Sequence, residues 1–265
     1  MNRIMAKGKV VNNGEVETRF TGKNLTLVGG IKLFHKFARK LGVEEALEQS
    51  IKLPRRESNY KTGRMLVSLL YALVLELNRL SDTARLQADR VFQRLVSFDD
   101  YPHQSTFSRF LKLFTVPIAQ KIGEADVSLL GKVRSNFKEY IRLTLDLDSH
   151  VETVYGNQQR AKAGYNPKKP GRKSFHPILC FIGETRDFLW GRFRPGNRYT
   201  GQGTVGFLRE CLKRLPGKVK EIFLRADSGF FDSKFLRKVE KRGIKYAIAA
   251  KLYSTIQTML GVLSS

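Results

Sequence analysis

The chain has 265 residues, 42% of them hydrophobic, which is enough for a globular core and excludes a disordered polymer. Forty-eight Lys and Arg against 24 Asp and Glu leave a formal charge of +24 and an isoelectric point near 10.2. Such an excess draws polyanions, most commonly nucleic acid, but many nucleic-acid proteins share it and it selects no chemistry.

Residues 1–30 are basic and Gly-rich, and NNG at 12–14 predicts a hairpin within a short β-arm. From Ile31 the period becomes helical: Ile31, Phe34, Phe37, Ala38 and Leu41 are expected on one face, with Gly42 as the stop. A second short helix is expected over 44–50, closed by Pro54. An apolar helix follows over about 61–79. Its run MLVSLLYALVL (65–75), between Arg64 and Glu76, is too short to span a bilayer. With no signal-peptide region at MNRIMAKGKVV, a soluble cytoplasmic, nucleoid-associated protein is expected.

The stretch 81–114 reads as a helix to about Val96 capped by Ser81 or Asp82, a turn at SFDDYPH, and a helix over QSTFSRFLKLF capped by Ser105. A helix opening with Gln104, Ser105, Thr106 and Arg109 after a turn is compatible with a helix-turn-helix DNA reader, and equally with two ordinary solvated helices. A last helix over about 116–138 completes a helical region, 31–138.

At Tyr140 the grammar changes. YIRLTLDLDS alternates, with Leu143, Leu145 and Leu147 on one face and Thr144, Asp146 and Asp148 on the other. A basic loop leads to an apolar strand, HPILCFIG (176–183), and DFLWGRFRPGN (187–197) pairs back as a third. A helix (204–215), a buried strand KEIFLRAD (220–227), a helix (231–243) capped by Asp232 or Ser233, and a strand KYAIAAK (245–251) follow. Cys180 and Cys211 sit in apolar surroundings without metal-binding spacing and read as reduced core residues. The order β-β-β-α-β-α-β describes a mixed sheet flanked by helices, the order of an RNase H-like core over 139–265. The fold class expected is thus a helical N-terminal region joined to an α/β core.

In this arrangement the first strand ends at Asp148 and the fourth at Asp227, and strands one and four are neighbours. Ligands of open α/β sheets gather beyond the carboxyl ends of strands. Two convergent carboxylates there suit Mg²⁺ or Mn²⁺, hard ions that take oxygen ligands and clamp a reacting phosphodiester. Taken singly, Asp148 reads as a strand-end cap and Asp227 as a turn residue or N-cap. Asp146, one pleat pair back on the same face, is a supporting or alternative ligand. The loop RAKAGYNPKKPGRK (160–173) carries Arg160, Lys162, Lys168, Lys169, Arg172 and Lys173 and no acid, which suits DNA backbone contacts. Arg194, Arg198 and Arg225 are further phosphate candidates, although Arg225 can instead pair with a neighbouring acid. GQGTVG (201–206) matches a dinucleotide-binding fingerprint only formally, since it follows a basic loop rather than a buried parallel strand.

The segments DLDSHVETVYGNQ (146–158), HPILCF (176–181), RFRPGN (192–197) and LRADSGFF (224–231) together resemble the DDE transposases of bacterial insertion sequences, of the RNase H-like, retroviral integrase superfamily. LTLVGGIKLFHKF (25–37), SDTARLQAD (81–89) and PHQSTFSRFL (102–111) look like that family's N-terminal region, so the resemblance covers about 20–255. It implies that Asp148 and Asp227 are metal ligands for DNA strand cleavage and transfer at terminal inverted repeats, with self-association on paired ends. The family's third acid, a Glu on a helix after the fifth strand, has no counterpart. Glu152, Glu184 and Asp187 lie near the first strand or the β-turn and read as solvated or turn charges. The chain is therefore expected to be a transposase truncated before its third acid. Two other functions remain: a non-catalytic DNA-binding protein that regulates transposition, and an RNase H-like nuclease.

Overall fold

The computed structural model describes residues 11–12, 17–18, 25–54, 59–134, 142–215, 219–250, 253–254 and 257–258. The chain divides into two compact units, Met1–Ala125 and Asp126–Ser265. The boundary expected at 138 falls within 135–141, outside the described residues.

In the first unit a two-residue antiparallel ribbon, β1 (Val11–Asn12) with β2 (Glu17–Thr18), lies where NNG predicts a hairpin; its turn lies outside the described residues. Helix α1 (Ile31–Leu41) ends at Gly42, whose φ of 73° is the left-handed conformation that favours glycine at a helix stop. Its buried face is Ile31, His35 and Ala38. Phe37, expected inside, is 54% exposed, because it lies about 100° around the helix from Ala38 and off that face. Helices α2 (Val43–Ser50) and α3 (Thr62–Val74) pack together. The apolar helix stops short of the expected residue 79, since Glu76 at φ 57° turns the chain.

The single helix expected over 81–96 is instead three pieces. A 3₁₀ turn (Leu80–Thr83) is capped by Asp82, which accepts the Arg79 N–H at 3.1 Å. It is followed by α4 (Ala84–Ala88) and α5 (Arg90–Leu95). The break is at Asp89, whose carboxylate accepts the Phe92 N–H at 2.8 Å and the Thr26 hydroxyl at 2.5 Å. Asp is a better cap than helix interior residue, and here capping wins. Helix α6 (Gln104–Leu111) is capped by His103, whose Nδ1 accepts the Ser105 N–H, so Ser105 itself is not the cap. Helix α7 (Val116–Arg134) follows and carries the Ala125–Asp126 boundary between the two units. The core of this unit is aromatic: Tyr71, Phe92, Phe98, Tyr101 and Phe107 meet edge-on or tilted at 5.6–6.2 Å between centroids. The polar tips find partners, Tyr101 donating to the Ser68 carbonyl at 2.7 Å and Tyr71 meeting His35 Nδ1 at 2.7 Å.

In the second unit the alternating leucines form β3 (Arg142–Ser149). The basic loop expected next is partly ordered as a small antiparallel sheet. Strands β4 (Glu152–Thr153) and β5 (Lys162–Ala163) each pair with β6 (Lys173–Phe175). Then come β7 (Ile178–Ile182), β8 (Phe188–Arg192), α8 (Thr204–Leu212), β9 (Glu221–Ala226), α9 (Ser233–Glu240) and β10 (Lys245–Ile248). Asp232 caps α9 as expected, accepting from Lys234 and Phe235. The main sheet has the order β10-β9-β3-β7-β8, with β3, β9 and β10 parallel and β7 and β8 antiparallel.

One face of this sheet supplies the core. Leu143, Leu145, Leu147 and Leu224 pack with Phe207, Leu208 and Cys211 of α8 and Phe235 and Val239 of α9. Each fully buried leucine contributes on the order of 1.5–3 kcal/mol of transfer free energy. Cys180 and Cys211 are free thiols in this core; their mutual hydrogen bond, and then burial, push the Cys180 thiol pKa up. The opposite face carries Thr144, Asp146, Phe223 and Arg225, half-buried to exposed. Among the described residues no helix is long and apolar enough to cross a membrane.

One close approach fixes the packing of α3 on α2: a Cβ on Gly63 would lie 2.3 Å from the Glu44 carbonyl oxygen. Gly63→Ala is expected to force the helices apart and lower stability by about 1–3 kcal/mol, measured by urea unfolding.

Candidate functional site

The parallel pairing of β3 with β9 sets each residue of one strand beside a residue of the other, from Arg142 beside Glu221 to Leu147 beside Ala226. One step beyond the last pair stand Asp148 and Asp227. Neighbouring strands run about 4.8 Å apart, so the register puts the backbone positions of two acids remote in sequence on adjacent strands at the carboxyl end of the sheet. Both are exposed. Asp148 Oδ1 accepts the Ser149 N–H at 2.7 Å, and Asp227 Oδ1 accepts the Gly229 N–H at 3.0 Å, capping a 3₁₀ turn, Ser228–Phe230. The strand-end and cap roles open to each Asp in the sequence are thus both present. Each role occupies one oxygen and leaves the other, which suits a hard cation held between the two acids.

Asp146 and Arg225 are paired in the same register, one pleat pair back on the same face. Arg225 forks onto Asp146, Nε to Oδ1 and Nη2 to Oδ2, both at 2.6 Å. The carboxylate beside it, chiefly through this hydrogen bond, raises the guanidinium pKa further. Asp146 is thereby committed to Arg225, and Arg225 to Asp146, although its side chain remains 60% exposed. Glu184 accepts the Thr144 N–H at 2.9 Å, back along β3, while Glu152 lies on β4 near His150. Among the described residues no group of three acids, histidines or cysteines comes together.

The basic segment surrounds the small sheet. Arg160, Lys162, Lys168, Lys169, Arg172 and Lys173 are all exposed. The buried Asn166 organises the segment, donating to Thr153 Oγ1 at 2.8 Å and accepting the Lys169 N–H at 3.0 Å. A surface hollow of about 380 Å³ is lined by Tyr155, Asn157, Arg172 and Lys173. Arg198 is exposed as expected. Arg194 is not on the surface. It is buried, with Nε donating to the His176 carbonyl at 2.9 Å and Nη1 to the Gln202 carbonyl at 2.8 Å, with longer contacts to Tyr199 and Thr200. Burial, and then Arg192 and Arg198, lower its pKa to about 10, so it stays charged at neutral pH. On α6, Gln104, Ser105 and Arg109 are exposed, and Thr106 accepts from Arg109 at 3.4 Å. The eight residues between α5 and α6 exceed the usual short turn of a helix-turn-helix.

Residues 8–264 match the family model described as Transposase DDE domain group 1. The chain is a member of the DDE transposase family. No curated protein matches it. Among solved structures this DDE-family chain is similar to piggyBac transposase in a synaptic complex with hairpin DNA, at 17% identity and a TM-score of 0.43, covering 87% of this chain and 53% of that one. It is also similar to the Mos1 mariner paired-end complex with Mn, at 10% identity and a TM-score of 0.29, covering 87% and 70%. The Drosophila P element transposase strand transfer complex matches at 10% identity and a TM-score of 0.32, covering 81% and 43%. The chain spans about half the length of the piggyBac transposase chain it matches.

Sequence reasoning missed a polar chain beside the acids. His176 is buried, and its Nδ1–H donates to the Arg198 carbonyl at 2.5 Å. That leaves Nε2 to accept from Thr200 Oγ1 over a long 3.5 Å, and Thr200 in turn meets Ser149 Oγ at 2.9 Å. His176 stands at the start of an apolar strand, and no periodicity marks it as a network member. Burial lowers the His176 pKa most; Arg194 and His150 lower it further, and the Arg198 carbonyl and Asp227 oppose them. A depressed histidine keeps its full stabilising contribution above the unfolded value of about 6.5. The contribution is lost as pH falls below that value, because the unfolded chain takes up the proton first. Stability should therefore drop between pH 7 and pH 5, and His176→Gln should flatten that drop, both read from denaturant midpoints.

Proposed function

We propose that this chain performs DNA strand cleavage and transfer in transposition, with Asp148 and Asp227 holding Mg²⁺ or Mn²⁺ at the ends of adjacent parallel strands. The observation that carries this reading is the β3–β9 register, whose last pair directly precedes the two acids on adjacent strands, in a chain whose family is established. The main-sheet order, with strands one and four adjacent, supports an RNase H-like core. Ions held there by Asp148 and Asp227 would supply activation of the attacking oxygen and charge stabilisation of the leaving oxygen of a phosphodiester. The chain's own residues supply the rest. The Ser149 and Gly229 amides orient the carboxylates. The Arg225 fork keeps Asp146 neutralised, so that a third negative charge does not compete beside the pair. The exposed cations of 160–173, with Arg198, attract the phosphate backbone of DNA, for which terminal inverted repeats of an insertion sequence are the proposed target. In this reading Arg194 braces the interior instead of contacting phosphate, since it is buried with Nε and Nη1 on carbonyl oxygens. Self-association on paired ends belongs to the same reading.

A second reading, a DNA-binding regulator without catalysis, is favoured by one observation: among the described residues no third acid joins the pair. Nicking of DNA carrying the element's ends separates the two. The transposase reading expects Mg²⁺- or Mn²⁺-dependent nicking. It also expects Asp227→Asn to lower nicking by more than the roughly 10–100-fold that loss of a residue supporting a metal site costs, with DNA binding no weaker. Tight binding with no nicking by the parent chain would select the regulator. Nicking of any DNA irrespective of the ends would select a nuclease.

A further inference from the structure

Thr200 touches both acid-bearing turns at once. Its hydroxyl meets Ser149 Oγ at 2.9 Å, and Ser149 is the residue whose amide holds Asp148. Its side chain also packs on Gly229, whose amide holds Asp227: a Cβ on Gly229 would lie 2.9 Å from Thr200 Cβ and 2.9 Å from its methyl. Only a glycine at 229 lets Thr200 come so close.

Thr200 is itself held from behind by buried groups. The Arg194 guanidinium gathers the carbonyls of Tyr199, Thr200 and Gln202, and so fixes the segment that carries Thr200 against the start of β7. The His176 N–H bond to the Arg198 carbonyl leaves Nε2 facing Thr200 as an acceptor. The hydroxyl of Thr200 then donates toward His176 and accepts from Ser149, so the chain of bonds runs in one direction, from Ser149 to the Arg198 carbonyl. A part-buried network of this kind orients the group at its end.

We propose that Thr200 is a positioning residue for the acid pair, joining the turn of Asp148 to the turn of Asp227, with Arg194 and His176 as its anchors. The proposal rests on the reading of Asp148 and Asp227 as a shared cation site. It assigns to the RFRPGN–RYTG segment (192–201) an internal bracing role, distinct from the DNA contact expected of its arginines.

The test is Mn²⁺ titration of the whole chain, without DNA, followed by paramagnetic broadening of the Ser149 and Gly229 amide signals. Thr200→Val removes the hydroxyl at constant shape, Thr200→Ser restores it, and Ser149→Ala removes its partner hydroxyl. The expected result is a Mn²⁺ dissociation constant raised about 10-fold or more by Thr200→Val and by Ser149→Ala, and within about 3-fold of the parent for Thr200→Ser. Amide exchange at Ser149 and Gly229 should quicken in the first two and not in the third. A purely structural Thr200 would instead shift the unfolding midpoint and leave Mn²⁺ affinity unmoved. If Thr200→Val fails to fold, Ser149→Ala, which removes the other hydroxyl of the 2.9 Å bond and keeps the amide that holds Asp148, gives the same discrimination against Thr200→Ser. Parent-like affinity in Thr200→Val or Ser149→Ala, with binding lost in Asp148→Asn and Asp227→Asn, would overturn the proposal and leave the acid pair standing. Absence of Mn²⁺ binding in the parent, or binding that survives both Asn variants, would overturn the acid pair and the proposal together.

Discussion

The in-register parallel pairing of β3 with β9 is the constraint on which the second unit depends. A slip of one residue would turn Leu143, Leu145 and Leu147 out of the core and Asp146 and Asp148 into it. The leucine face therefore specifies the pairing strongly. The Asp146–Arg225 fork marks the same register on the other face, joining residues 79 apart in sequence. Being largely exposed, it defines the register by geometry more than it adds stability. The site follows from this pairing: once residue 146 is beside 225, residue 148 lies beside 227.

A basic protein with two neighbouring carboxylates poses an electrostatic question that the arrangement answers. The surplus of Lys and Arg is spread over exposed segments, whereas the acids are gathered at one sheet end. Asp146 is paired with Arg225, and Arg194 is drawn inside, with its Nε and Nη1 on carbonyl oxygens. What remains at the surface is an acid pair suited to a cation, in a unit that also carries cations suited to phosphate. In the proposed reading, charge and geometry serve the same chemistry, in a chain of the DDE transposase family.

Much of the second unit was legible because its strands announce themselves. Leu143, Leu145 and Leu147 alternate, ILCFI is continuously apolar, and Asp232 sits where a cap is wanted, so element order followed from local pattern. The adjacency of β3 and β9 was legible only through the order of elements, since no local signal relates residues so far apart. Other features were hidden for definite reasons. The break at Asp89 depends on a capping bond competing with a helical pattern that continues through it. Arg194 looks like any arginine of a basic loop, and only the carbonyls of 199–202 show that it is interior. The short strands flanking the basic loop contain Lys162 and Lys173, residues with weak strand preference, and form through pairing with each other's neighbours rather than through propensity. Thr200 lies in a Gly-rich stretch where a dinucleotide fingerprint drew attention to the glycines instead.

The claim at the centre is that Asp148 and Asp227 hold one divalent ion between them. Iron(II) loaded in place of Mg²⁺ or Mn²⁺, with ascorbate and peroxide, cuts a polypeptide chain beside the bound ion, and the fragments can be sized. The expected result is cleavage at two places, around 148 and around 227, with both cuts lost together in Asp148→Asn and in Asp227→Asn. Cutting at only one of the two segments, or a cut near 227 that persists when Asp148 is replaced, would contradict a shared site.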